Sequence, residues 1–275
     1  MAKTRRLIKE SLPLVDAVCE ILDARIPESS RNPELSDIIA NKPKIVLLCK
    51  SDIADERITR LWVDYYKKNK VIALPVDCRS GKNVKLFLPA VKELLKEKIK
   101  RNSEKGIGRM PLRIMVVGIP NTGKSSFINR MAGKTKAAVQ DKPGVTRRNS
   151  WFAVGNGVEL LDTPGVLWPK FDDPAVGDKL AFTGSVKDTI IDTQALCLRL
   201  LKILAKDYPQ NLKTRYSIDG FEGKTPNELL EMIGKKRGML ISGGEVDTQR
   251  AADTVLDEYR SGKLGRISLE RPPVI

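Results

Sequence analysis

Apolar residues fall along this chain in two successive rhythms. Up to about residue 165 they gather into short runs: "AVCEILDA" (17–24), "KIVLLCK" (44–50), "VIALPVDC" (71–78), "RIMVVG" (113–118), "VELLDT" (158–163) and, more weakly, "SWFAVG" (150–155). Such runs predict buried strands, and the stretches between them carry helical spacing. Residues 83–100, for instance, place Val84, Phe87, Val91, Leu94 and Leu95 on one side of a helix. Strands alternating with helices predict an α/β fold, a mostly parallel sheet with helices on both faces. "KRNSEKGIGRMP" (100–111) has charge and glycine but no periodicity and reads as a linker. Later the strand-like runs stop, and 193–209, 225–238 and 246–262 are helical, with Pro226 near one start and Gly262 after one end. The expected division is a domain at 1–174, its linker near 101–111, followed by a small all-α domain at 175–275 whose tail "ERPPVI" is frayed.

Composition narrows the chemistry. The 275 residues carry a net charge of +15, which favours polyanionic partners, and basic stretches recur at "AKTRR", "KEKIKR" (96–101), "TRR" (146–148) and "GKKRG" (234–238). Aromatic content of 5% disfavours base stacking and leaves phosphate and shape contacts as the route to a nucleic acid. There is no histidine, so a histidine general base and a Cys/His zinc site are both excluded within this sequence. Cys19, Cys49, Cys78 and Cys197 are dispersed, which makes a disulfide framework unexpected. No apolar stretch is long enough to span a bilayer, and the start lacks a secretory apolar segment. A cytoplasmic monomer without stable membrane association is expected.

One motif is complete. Gly118 to Ser125, "GIPNTGKS", fits GxxxxGK[ST] and sits between a strand-like and a helix-like stretch. Glycines let backbone N–H groups crowd around phosphate oxygens, and a helix start adds positive potential. Lys124 is expected on the β and γ phosphates of a nucleoside triphosphate, with Thr122, Gly123 and Ser126 beside it and Ser125 on Mg²⁺. "LLDTPG" places Asp162 at a strand end, as a further Mg²⁺ ligand through water, and the Gly165 amide near the γ phosphate. Thr146, in "DKPGVTRR" (141–148), could give Mg²⁺ a second hydroxyl; it could equally be an ordinary loop threonine.

Choice of base requires a carboxylate that accepts from guanine N1–H and the 2-amino group, a pair adenine cannot donate. Lys170-Phe171-Asp172 lies too close to DxxG to supply it. Upstream of the phosphate loop, Cys49-Lys50-Ser51-Asp52 follows a clean strand, and a later strand ends in Asp77-Cys78-Arg79, which is similar to the second guanine loop of GTPases. Base reader, second base loop, phosphate loop, threonine loop and DxxG therefore appear in that order, with the base elements first. A sheet survives such a permutation, because strands need adjacency in space and not along the chain. The expectation is a circularly permuted P-loop GTPase, with the 100–111 linker as its seam.

"DARIPESSRNP" (23–33), "CKSD", "GIPNTGKSS", "DKPGVTR", "DTPGVLWPK" and "AFTGSVKD" (181–188) together resemble the YlqF/RbgA family of circularly permuted ribosome-biogenesis GTPases, over nearly the whole chain. The resemblance implies a bacterial assembly factor for the large (50S) ribosomal subunit. It implies GTP hydrolysis stimulated by the immature particle, and an rRNA-binding helical tail. Three positions depart from the family: Cys49 stands where asparagine is usual, Asp77-Cys78 replaces Ser-Ala, and the histidine of a "WFPGHM"-like opening before "AKTRR" is missing. Either the native start lies upstream, the chain was trimmed, or it works without that histidine. Val166 occupies the place where many GTPases carry a water-orienting glutamine, so turnover of the isolated chain should be slow. Asn121 resembles the asparagine of potassium-dependent GTPases, which helps hold K⁺ beside the phosphates; its other reading is loop stabilisation. Lys124, Asn121 and Thr146 are thus the expected catalytic set. Competing expectations are a GTPase of another RNA or membrane process, a GTP-dependent latch with little turnover, and, last, an ATPase.

Overall fold

The computed structural model describes residues 2–106, 110–133, 138–139, 150–165, 167, 173–186, 188 and 191–273. Two compact units divide the chain: Met1–Phe171 together with Ser268–Ile275, and Asp172–Ile267.

The first unit is built on a seven-stranded sheet. Its strands are β1 (Ala17–Asp23), β2 (Lys44–Cys49), β3 (Ile72–Val76), β4 (Leu112–Val117), β5 (Ala138–Val139), β6 (Ser150–Ala153) and β7 (Val158–Asp162). They lie in the order β3-β2-β1-β4-β7-β6-β5. The five from β3 to β7 run parallel, and β6 and β5 add an antiparallel edge. All six runs read as strands from the sequence are strands here, and β5 adds a pair of residues too short to show a pattern.

Strand β1 is buried at every position, which is why its run is apolar without alternation. Cys19 and Ile21 face a core shared with Ile45, Leu47, Ile114 and Val116. That face is closed by helices α4 (Phe87–Leu94) and α6 (Lys124–Ala132), whose Phe87 and Phe127 rings meet edge to face at 5.0 Å. Residues one step along the strands point the other way. Leu22, Val46 and Leu48 pack against Trp62 and Tyr66 of α3 (Glu56–Lys68), and Val18, Met115 and Val117 against Ile8 of α1 (Ala2–Ser11) and Leu35 and Ile39 of α2 (Pro33–Ile39). Helices therefore cover both faces.

Two expectations are corrected. The helix expected over 83–100 is a 3-10 turn at Val84–Leu86 followed by α4, and α5 (Lys96–Glu104) then runs into the stretch read as linker. The break falls at Leu95, where the apolar stripe ends; α5 is polar and buries nothing, so it lacked a periodicity to read. Nor is the start of the tail frayed: Glu270 accepts from Glu28 N at 2.8 Å and Leu269 N–H donates to Arg25 O at 2.8 Å, and residues 268–275 group with the first unit, so the helical unit ends at 267 and not at 275.

The second unit contains α7 (Pro174–Phe182), α8 (Thr193–Asp207), α9 (Pro209–Tyr216), α10 (Pro226–Lys236) and α11 (Thr248–Ser261). Helices α8, α10 and α11 open on side-chain caps. Asp192 accepts from Ala195 N–H, Thr225 and Glu228 form a reciprocal capping box, and Asp247 accepts from Arg250 N–H. Leu196, Leu200 and Leu204 of α8, Leu230 and Ile233 of α10, and Ala252 and Val255 of α11 are its buried core.

Candidate functional site

Parallel strands deliver all their C-terminal loops to one edge of the sheet. Asp23 pairs with Cys49 and Cys49 with Val76, so β1, β2 and β3 end level with one another; Val116 in β4 pairs with Asp162, the last residue of β7. The loops after β2, β3, β4 and β7 thus emerge together whatever their order in sequence.

The loop after β4 is shaped by close approaches. A Cβ at Gly118 would lie 2.7 Å from Ile21 O, and one at Gly123 3.2 Å from Cys49 Cβ, with Gly123 at φ +108°. The base-side strand end therefore packs directly on the phosphate loop. Thr122 is buried and donates its hydroxyl to Ile119 O at 2.9 Å, a loop-shaping bond. Asn121 sits at φ +62°. Lys124 opens α6; its ammonium contacts Asp162 Oδ1 at 2.8 Å and donates to the Thr163 carbonyl. Thr163 donates in turn to Val116 O at 2.7 Å. A Cβ at Gly165 would approach Pro120 N to 3.1 Å, which lets the DxxG backbone lie against the phosphate loop.

The loop after β2 turns sharply at Lys50, φ +58°, and Ser51 N–H donates to Val76 O at 3.3 Å. Lys50 Nζ contacts Asp23 Oδ2 at 3.0 Å. Asp23 is fully buried and also accepts from Arg25 N and Nε, both at 3.0 Å, and from Arg25 Nη2 at 2.8 Å. Burial opposes its charge, but the Arg25 guanidinium and Lys50 ammonium together hold its carboxyl well below the usual carboxylate range. After β3, the Asp77 carboxylate accepts from Arg79 N at 2.7 Å and Ser80 N at 3.2 Å, closing its own turn. Cys49 and Cys78 share a hydrogen bond that raises the first thiol, which burial raises further, and lowers the second.

Between these loops lies a cavity of about 500 Å³. Lys50 lines it from the loop after β2; Ile119, Pro120, Asn121, Gly123, Lys124, Ser125 and Ser126 line it from the loop after β4 and the start of α6, and Gly165 from beyond β7. Of the residues singled out in the sequence, the structure thus gathers Lys50, Asn121, Gly123, Lys124, Ser125, Ser126 and Gly165 in one place, with Asp162 held at its edge by Lys124. Cys49, Ser51 and Thr122 support the two loops, Asp52 and Cys78 sit on the loops after β2 and β3 without lining the cavity, and Asp77 is occupied by its own turn. Thr146 and Val166 lie outside the described residues. Ser125 offers a hydroxyl and Asp162 a carboxylate; such hard oxygen donors fit Mg²⁺. Sequence reasoning quoted Asp23 and Arg25 but gave them no task, and the ion triad with Lys50 supplies one. The available signal was an acidic residue at a strand end two positions before an arginine.

A family model described as 50S ribosome-binding GTPase matches residues 113–219. Ribosome biogenesis GTPase A of Priestia megaterium is 48% identical over 99% of this chain and 94% of its own length. The Thermotoga maritima protein of the same name is 34% identical over 98% of this chain and 91% of its own. GNP-bound YlqF from T. maritima superposes with a TM-score of 0.67 at 32% identity, covering 99% of this chain and all of that one (100%).

Proposed function

We propose, because this chain belongs to the ribosome biogenesis GTPase A family, that it is a GTP-hydrolysing assembly factor for the large ribosomal subunit. The observation that carries the reading is the shared cavity: Lys50, ahead of the phosphate loop by a whole βαβ segment, faces the same space as Lys124. Guanine would lie between the loops after β2 and β3, with Asp52 accepting from N1–H and the 2-amino group and the Lys50 stem along the ring. The triphosphate would lie along Asn121–Ser126, its oxygens drawing the Lys124 ammonium away from Asp162 and Thr163. Ser125 and Asp162 would then hold Mg²⁺, with Thr146 as a further hydroxyl; the ion supplies neutralisation of charge on the β and γ phosphates. Asn121 would hold K⁺ beside them.

The precursor of the large subunit and its rRNA are the proposed partners, in a cytoplasmic setting; among the described residues no helix is long and apolar enough to cross a membrane. The net charge of +15 supports a polyanionic partner. So does the end of α10, where Lys235 and Lys236 are exposed while Arg237 is drawn to Glu258 at 3.2 Å. The deciding experiment is phosphate release from GTP with and without large ribosomal subunits, in K⁺ and in Na⁺. Slow turnover alone, raised by both the particle and K⁺, is expected. Turnover that neither changes would favour a guanine-dependent latch.

A further inference from the structure

Residues Ser268–Glu270 are bound by polar contacts to the segment that follows β1 and to α3. Asp55 N–H donates to Ser268 Oγ at 3.1 Å, and Leu269 N–H donates to Arg25 O at 2.8 Å. The Glu270 carboxylate accepts from Glu28 N at 2.8 Å, from Ser29 N at 3.1 Å and from the Ser29 hydroxyl. Trp62 Nε1 donates to Glu270 O at 3.1 Å, and Trp62 is fully buried. Glu270 itself is 9% exposed, although acidic residues are seldom buried without a purpose.

Each anchor leads to the base reader. Arg25, held by Leu269 through its carbonyl, is the buried guanidinium that fixes Asp23, and Asp23 fixes Lys50. Asp55, held by Ser268, is the N-cap of α3 and closes the turn that begins at Lys50 and carries Asp52. Glu28 and Ser29, held by Glu270, lie in the loop that continues from Arg25. The segment thus grips the Lys50–Asp55 loop from both sides: through Arg25 and Asp23 at one end, through Asp55 at the other.

We propose that Ser268–Glu270 is a positioning strap for guanine recognition, with Glu270 and Arg25 as positioning residues that set the Asp52 carboxylate and the Lys50 stem against the base. This rests on the reading of Asp52 as base acceptor given above. A strap that only stabilised the fold would weaken all nucleotides alike. One that aims Asp52 acts on the 2-amino group, which inosine diphosphate lacks, so it changes the preference for GDP over IDP.

The test is the ratio of GDP to IDP affinities, measured by displacement of a fluorescent GDP analogue from the full chain. Wild type is compared with Glu270→Ala, Glu270→Gln, Ser268→Ala and Asp52→Ala, each checked for folding by circular dichroism. Glu270→Ala is expected to lower the ratio about tenfold, the scale of a lost hydrogen bond to a charged group. Glu270→Gln, which keeps an acceptor for the Glu28 and Ser29 amides, should recover part of it. Should Glu270→Ala not fold, Ser268→Ala decides, with an expected fall of about threefold, as for one neutral hydrogen bond. A collapsed ratio in Asp52→Ala with no change in any folded strap variant overturns the strap alone. An unchanged ratio in Asp52→Ala overturns the base reader, and the strap with it.

Discussion

On one wall of the cleft, Asn121 and Lys124 reach their places through backbone geometry within a few residues of sequence: a glycine at φ +108°, an asparagine at φ +62°, a helix start. On the opposite wall, Lys50 contacts a buried carboxylate in β1, which is held by an arginine beyond it, whose carbonyl accepts from a tail segment from the far end of the chain. One half of the site is a motif; the other is a scaffold of long-range polar ties. The motif needs room for phosphates and little else. A base has no charge to attract, so its reader must be held in register by its surroundings, and buried charges provide that rigidity only when fully paired.

The sharpest way to break this difference is at Asp23. Replacing Asp23 by Ala takes the carboxylate away from buried Arg25 and from Lys50 and should destabilise the first unit by about 3–5 kcal/mol, read from urea unfolding at neutral pH. Because the folded carboxyl titrates below its unfolded value of about 3.9, its contribution is fully present above that value and fades as pH falls beneath it. The gap between wild type and Asp23→Ala should therefore narrow when the unfolding is repeated near pH 3. A gap that stays constant contradicts the ion triad.

Gly123→Ala probes the other side. The new methyl would stand 3.2 Å from Cys49 Cβ at a left-handed backbone position, with an expected loss of roughly 1–2 kcal/mol from conformation alone. Nucleotide affinity should fall further, since Cys49 and the loop must part. A smaller effect is expected from Trp62→Phe, which removes the bond to Glu270 O but keeps the packing: about 1 kcal/mol in stability. Last, thiol labelling should reach half-buried Cys78 before buried Cys49, Cys19 and Cys197, and GDP should slow it. Equal rates with and without GDP would place Cys78 away from the base.

The same contrast sets how much could be read beforehand. The strands β1, β2, β3, β4 and β7 were legible because burial on both faces leaves unbroken apolar runs, and the phosphate loop because its chemistry is confined to eight consecutive residues. Lys50 was legible only as part of a permuted set, and the task proposed for Asp52 rests on that same set. The supports of Lys50 were not: nothing local in "DAR" says that its aspartate meets a lysine just past the end of the next strand, and "ISLE" looks like any polar stretch. The end of α5 beyond residue 100 escaped notice for the opposite reason, since a helix that buries no side chain leaves no stripe to follow. Thr146 and Val166, which the hydrolysis reading uses, lie outside the described residues.

The central claim is that the loop at Lys50–Asp52 and the loop at Lys124 hold two ends of one guanine nucleotide. Asp52→Asn tests it most directly, by direct titration with GDP and with xanthosine diphosphate. An amide in place of the carboxylate loses the pair of guanine donors and can donate to the 2-oxo group of xanthine. A fall in GDP affinity on the order of 100-fold, with xanthosine diphosphate now bound more tightly than GDP, is the result required. GDP affinity left at the wild-type value, with no gain for xanthosine diphosphate, would contradict it.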